Sequence, residues 1–280
     1  MSDLPSSGAT PQEGDATGRV LVITGSGGDI GRALTCAAVA QGYRVFGLEV
    51  NPETGARTAE IAGGGARFIE CDLGDVQALE RAFALIEAEA GPVYGLVNNA
   101  ARGSHVLPQD IDIDTWNGVL AITLTAGAFA AQFAARSMVA SGAGGSIVNI
   151  ASIAGLSALG RGNYAYSVAK HGVVGMTREL AVEWAASGIR VNAVAPSQVD
   201  TSGFRPLVGR EDVAAGGILG AAVGGIPAGR LATVDDVTPL VMYLLSDDAR
   251  FLTGATIPID GGSLALHAGG TVGPRMEPVA

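Results

Sequence analysis

A chain of 280 residues with a formal net charge of −10 can bury one full hydrophobic core, and its size fits a single α/β domain better than two. Its 17 Lys and Arg, against 27 Asp and Glu, are scattered rather than gathered into a basic stripe, which argues against nucleic acid or an anionic membrane as partner. The two cysteines, Cys36 and Cys71, have neither CxxC spacing nor a nearby His, so they read as small buried hydrophobes rather than metal ligands or a redox pair.

Residues 1 to about 18 combine Ser, Gly, Pro, Thr and acidic side chains with little apolar content, the composition of a disordered tail. They carry no basic-then-apolar signal pattern, and no run of 18 uninterrupted apolar residues occurs in the chain, so the expectation is a soluble cytoplasmic protein without a membrane span. From Arg19 onward an apolar strand at 20–24 runs into the turn Gly25-Ser-Gly-Gly-Asp-Ile-Gly31 and a helix predicted over about 30–41. A strand at 44–48, a helix near 56–62, a strand at 66–71, a helix near 76–90 and a strand at 93–97 follow. The second half continues with a long helix over about 113–140, a strand at 146–150, a helix out to about 186, a strand at 190–195, a helix at 234–245 and a strand at 256–259. Continuous apolar strands alternating with helices predict an α/β fold, a single Rossmann-like doubly wound parallel sheet with helices on both faces. Residues 202–228, rich in Gly and Ala, are too long for a plain connection and read as a substrate loop or lid within a catalytic domain spanning 19–264. The tail at 265–280 is either loose or wrapped on a neighbouring subunit.

The glycines between Gly25 and Gly31 let the backbone turn sharply and approach a pyrophosphate, whose charge is held by free N–H groups at the following helix N-terminus. Glu49 closes the predicted second strand some 18 residues past Gly31, where a carboxylate takes both hydroxyls of an adenosine ribose and repels a 2′-phosphate. No Lys or Arg stands beside it, or in the turn before Arg32, so NAD is favoured over NADP; the competing reading is a solvated strand-end charge. In Tyr166-Ser-Val-Ala-Lys170 the phenol and the ammonium lie one helical turn apart on one face, where the cation can acidify the phenol for proton transfer at a carbinol oxygen. Tyr164 competes for that role but lies six residues before Lys170, off the shared face.

Over roughly residues 18 to 264 the chain resembles the short-chain dehydrogenase/reductase family. "TGSGGDIG" at 24–31 is similar to its T-G-x-x-x-G-x-G, "CDL" at 71–73 to its D-[VL], and "NNAA" at 98–101 to N-N-A-G. "GGSIVNIAS" ends on Ser152, where the family has its catalytic serine; "YSVAK" supplies Tyr166 and Lys170; and "APSQVDT" resembles P-G-x-x-x-T. "GR" at 229–230 and "FLTGATIPIDGG" at 251–262 match the family's ending. The resemblance implies a cofactor site from Gly25, Gly28, Asp29, Ile30, Gly31, Glu49, Asp72, Leu73, Asn99, Ala100, Tyr166, Lys170, Pro196, Val199 and Thr201. In it, Asp72 contacts adenine, Asn98 stabilises the central sheet, and Val199 and Thr201 hold the nicotinamide carboxamide. It also implies Tyr166 as general acid/base, Ser152 as donor to the substrate oxygen, and Lys170 as the charge that lowers the phenol's pKa and grips the ribose. A homotetramer built through the helices at about 113–140 and 165–186 is a further expectation.

Four positions depart from the family pattern. Asp29 replaces the middle glycine of the turn and adds a negative charge near the pyrophosphate. Thr123 stands where many members have an Asn completing a catalytic tetrad, so an altered proton relay is expected. Ala101 and Ser197, each in place of Gly, are milder. The predicted substrate wall comprises Ser152, Tyr166, Gly103, Ser104, His105, Ile153, Leu159, Arg161, Asn163, Gln198, Phe204 and Arg205, a mixed set compatible with a cyclic or aliphatic ketone or with a polyol, sugar or acid. The leading expectation is an NAD-dependent enzyme interconverting a small-molecule secondary alcohol and a ketone. The alternatives are an NAD-binding sensor or assembly subunit with weak catalysis and an NADP-dependent acyl-thioester ketoreductase, the latter disfavoured by Glu49.

Overall fold

The computed structural model describes residues 18–160, 162–205 and 223–266, so the predicted N-terminal tail, most of the 202–228 loop and the end of the C-terminal tail lie outside the described residues. Among the described residues, seven strands form one parallel sheet: β1 (Val20–Thr24), β2 (Arg44–Glu49), β3 (Ala66–Glu70), β4 (Val93–Asn98), β5 (Gly145–Ile150), β6 (Ile189–Pro196) and β7 (Thr256–Ile259). Their order is β3-β2-β1-β4-β5-β6-β7, so the winding direction reverses between β1 and β4. In open α/β sheets this reversal leaves a crevice at the carboxyl ends of the strands, the usual position for a ligand. Among the described residues the α-helices are α1 (Asp29–Ala40), α2 (Pro52–Ala62), α3 (Val76–Ala90), α4 (Ile113–Leu120), α5 (Ala126–Ser141), α6 (Tyr164–Trp184) and α7 (Val234–Leu245).

Each central strand is buried on both sides because its side chains alternate between two cores. Val20 and Val22 join Leu96 and Ile147 against Leu79, Phe83 and Ile86 of α3 and Ala130, Ala134 and Met138 of α5. Leu21 and Ile23 join Val45, Val97 and Val194 on the other face, against Leu34 and Ala38 of α1 and Val241, Leu244 and Leu245 of α7. The predicted boundaries hold to within a residue or two, except at α2. That helix starts at Pro52 rather than near 56, because Asn51 accepts from the Glu53 and Thr54 N–H groups and proline takes the first helical position.

The long helix expected over 113–140 is interrupted by a π-helical segment, Ala121–Thr125, between α4 and α5. By length and composition alone Ile113–Ser141 could cross a membrane. In this fold its Ala126, Ala130, Ala131, Ala134 and Met138 are taken up by the core.

The sheet centre carries a polar tie. The Asn98 amide donates to Asn149 Oδ1 (2.9 Å) and Gly127 O (3.0 Å), and Asn149 donates in turn to Thr177 Oγ1 (2.9 Å). Asn149 is fully buried. Asn149→Ala therefore destabilises the fold by about 2–4 kcal/mol, through unsatisfied partners and a small void, read as a lower urea midpoint with an unchanged slope. At the opposite rim, the amino ends of the strands, Arg19 forms a two-pronged pair with Asp247 (2.8 and 3.2 Å) and lies 4.1 Å over the Tyr94 ring. Tyr94 also donates to Asp247 (3.0 Å).

Candidate active site and cofactor cleft

Two adjoining clefts open at the carboxyl ends of the strands. One, of about 610 Å³, is lined by Gly25, Gly28, Asp29, Ile30, Glu49, Asp72, Leu73, Asn99 and Ala100. The other, of about 730 Å³, is lined by Ser152, Tyr166 and Lys170 together with Ile153, Leu159, Asn163, Pro196, Gln198, Val199, Phe204 and His105. Ile30, Asn99, Ala101 and Thr201 border both, which makes the two a continuous groove.

The first cleft fits a dinucleotide. Gly25 has φ +65°, and a Cβ there would lie 2.9 Å from Ala100 Cα; a Cβ on Gly31 would lie 2.2 Å from the Gly25 carbonyl oxygen. Only glycine lets the turn close this tightly beneath a ligand. Gly31 itself does not line the cleft but packs beneath the turn. No side chain caps α1, so its N-terminal N–H groups have no side-chain acceptor. Asn99 pins the turn, donating to Thr24 O (3.1 Å) and Gly25 O (3.0 Å), while Thr24 Oγ1 accepts from Asn99 N (3.0 Å) and Ala100 N (3.2 Å).

Glu49 is not a loose strand-end charge. Its Oε2 accepts from Gly27 N (3.0 Å), and its Oε1 accepts from Val50 N (3.0 Å) and Asn51 N (3.1 Å). Three backbone donors thus hold a carboxylate at the cleft wall. Asp72 is oriented by Gly74 N, 2.8 Å from Oδ1.

In the second cleft, Ser152 leaves the end of β5 and caps a single 3-10 turn, Ile153–Gly155, its Oγ accepting from Ala154 N (3.1 Å). Tyr166 sits in the first turn of α6 and lines the same cleft as Ser152. Burial pushes the Tyr166 phenol above its ordinary value, and the neighbouring Ser152 hydroxyl opposes this only in part. Lys170 is buried, its Nζ donating to Ile150 O (2.5 Å) and lying 5.6 Å from the Tyr166 ring centroid. Burial pushes its ammonium down to about 7. Lys170 and Tyr166 thus sit side by side on one face of α6, with the Lys170 Nζ turned to the Ile150 carbonyl. Tyr164 faces away, stacked on Trp116 at 5.2 Å between ring centroids.

Other placements also differ from expectation. Thr123 does not reach either cleft: it accepts from Arg102 N (3.0 Å) and donates to Arg102 O (3.1 Å), clamping the loop after β4. Gly103 and Ser104 do not line the substrate cleft, and Ser104 is buried. Arg205 turns to Asp200, 2.8 Å from Oδ1. Arg161 lies outside the described residues. The sequence reading missed Ala158, Gly225 and Ser263 on the substrate cleft and Arg102 on the cofactor cleft. Ser263 follows β7 at the carboxyl rim, and that position was its signal. Among the described residues no three His, Cys, Asp or Glu side chains are grouped to hold a metal ion.

A family model described as enoyl-(acyl carrier protein) reductase matches residues 25–263. Cis-4-hydroxycyclohexanecarboxylate dehydrogenase of Sinomonas cyclohexanicum is 37% identical over 252 residues, 89% of this chain and 97% of its own. D-threitol dehydrogenase of Mycolicibacterium smegmatis is 34% identical over 249 residues, 88% of this chain and 92% of its own. A solved structure from Beutenbergia cavernae that holds NADP at low occupancy is 34% identical, with a TM-score of 0.80 over 89% of this chain and 98% of that one. Matching motifs, matching topology and full-length relatives agree: the chain belongs to the short-chain dehydrogenase/reductase family of oxidoreductases.

Proposed function

We propose that the protein is an NAD-dependent dehydrogenase of secondary alcohols, with Ser152 and Tyr166 at the reacting carbon–oxygen bond. The observation that carries this reading is that Ser152, Tyr166 and Lys170 share the wall of a cleft continuous with the glycine-turn cleft. A bound nicotinamide dinucleotide supplies a two-electron hydride acceptor. Ser152 Oγ donates to the carbinol oxygen and holds it, and Tyr166 Oη takes the hydroxyl proton in oxidation and returns it in reduction. Lys170, fixed against Ile150 O, stands behind the phenol and is placed for a ribose hydroxyl. Gly25, Gly28 and Ile30 receive the diphosphate, Asp72 and Leu73 flank the adenine, and Val199 and Thr201 take the carboxamide.

The substrate cleft is mostly apolar with a polar edge of His105, Asn163, Gln198 and Ser263. That suits a cyclic or aliphatic alcohol bearing one polar substituent, in keeping with relatives named for a hydroxycyclohexanecarboxylate and a polyol. In this reading the chain works as a cytoplasmic homotetramer, supported by the exposed apolar side chains Phe129 and Val139 on α5 and Val168 and Val182 on α6. The test is the rate of reduced-cofactor formation at 340 nm over cyclic, aliphatic and polyhydroxy alcohols with NAD and NADP in parallel. Oxidation of a cyclic or substituted secondary alcohol with NAD supports the proposal, and silence across the panel overturns it.

Cofactor choice rests on Glu49. Glu49→Ala weakens binding of both cofactors by freeing Gly27, Val50 and Asn51 N–H, but it removes the repulsion of a 2′-phosphate. The NADP to NAD ratio of kcat/KM therefore rises about 10–100-fold, measured as paired initial rates.

A further inference from the structure

We propose that Asp29 is a positioning residue that fastens the loop at 201–205 across the cofactor cleft. Asp29 is the first residue of α1, on the bank formed by the glycine turn. Its Oδ2 accepts from the backbone N–H of Ser202 at 2.5 Å, a partner 173 residues away on the opposite bank, and its Oδ1 pairs with Arg32. These contacts, with the Ser202 bond foremost, hold the carboxyl below its ordinary value.

The loop it grips carries the groove's outer wall. Thr201 borders both clefts, Ser202 and Gly203 border the cofactor cleft, and Phe204 borders the substrate cleft. Among the described residues, the loop's bonds on its own bank lie at its root and within itself. Val199 bridges Ala232, Asp200 N donates to Ala232 O (2.8 Å), Phe204 N donates to Thr201 O (3.0 Å), and Arg205 folds back on Asp200. Among the described residues, the Asp29–Ser202 bond is the tie that reaches over the groove, and an ionised acceptor makes it a strong one. A glycine at position 29 would spare a diphosphate a neighbouring negative charge. Aspartate gives up that advantage, partly offset by Arg32, for a closed loop. A cofactor entering or leaving between α1 and the loop has to break this clasp, so Asp29 slows cofactor exchange and holds Thr201 and Phe204 in place. The inference rests on the reading that a dinucleotide occupies this cleft.

Hydrogen exchange at the Ser202 amide, in the protein without added cofactor, tests the clasp directly for wild type, Asp29→Gly and Asp29→Asn. In Asp29→Gly, Ser202 exchanges at least about tenfold faster while amides of β1 and β4 keep their protection. In Asp29→Asn, which retains an acceptor of the same shape, exchange stays within about threefold of wild type. Stopped-flow release of NADH then quickens about tenfold in Asp29→Gly and little in Asp29→Asn. Unchanged Ser202 exchange in Asp29→Gly overturns the clasp, and faster exchange with unchanged NADH release overturns its coupling to the cofactor. Failure of wild type to bind NADH at all would count against the cofactor reading, while the exchange result still decides the clasp.

Discussion

Tyr166→Phe lowers kcat for alcohol oxidation by about a thousandfold or more and leaves the dissociation constant for NADH within about twofold. The change deletes one oxygen. The ring stays packed beside Lys170, whose bond to Ile150 O is to a carbonyl and does not involve the phenol. Ser152 cannot substitute, because an aliphatic hydroxyl ionises far less readily than a phenol, and its own oxygen already accepts from Ala154 N. Paired rate and fluorescence-binding measurements check the prediction. A variant that keeps a tenth of the wild-type rate would show that the proton leaves by another route.

Lys170→Met stabilises the fold by about 3 kcal/mol at pH 6 while sharply lowering activity. The ordinary value of the Lys170 ammonium is 10.5, and burial brings it to about 7 in the fold. Between those values the unfolded chain binds a proton that the folded chain does not, so unfolding becomes less favourable as pH rises. The cost of burying the cation is therefore fully present below about pH 7 and is relieved progressively toward pH 10.5. Methionine fills much the same volume without a charge. Its advantage over wild type is largest in acid and shrinks through that window, as urea unfolding at pH 6 and pH 9.5 would show. An advantage independent of pH would mean that Lys170 stays charged inside the protein.

The sheet was legible because its central strands are mostly apolar runs, as strands buried on both faces tend to be, and because Gly25 to Gly31 announces a strand-to-helix turn. Long-range matters were not. The apolar pattern over 113–140 reads as one helix, and nothing local distinguishes the π-helical Ala121–Thr125 from its neighbours. Thr123 looked catalytic by position, but its partner is the backbone of Arg102, a contact made only when the loop after β4 folds over the helix. Spacing in Tyr166 to Lys170 puts both groups on one face of α6, yet whether the ammonium turns to the phenol or to Ile150 O depends on where β5 ends. For Asp29 the sequence showed an intrusive charge, and its use emerges only with Ser202 brought alongside.

The two rims of the sheet are put to different uses. Arg19, Tyr94 and Asp247 knit the amino ends of the strands together, far from the groove at the carboxyl ends. A protein arranged this way can be retailored for new substrates by exchanging short stretches around Ala158, Asn163 or Phe204. The fastening that keeps its two halves in register stays on the far side, untouched by the exchange.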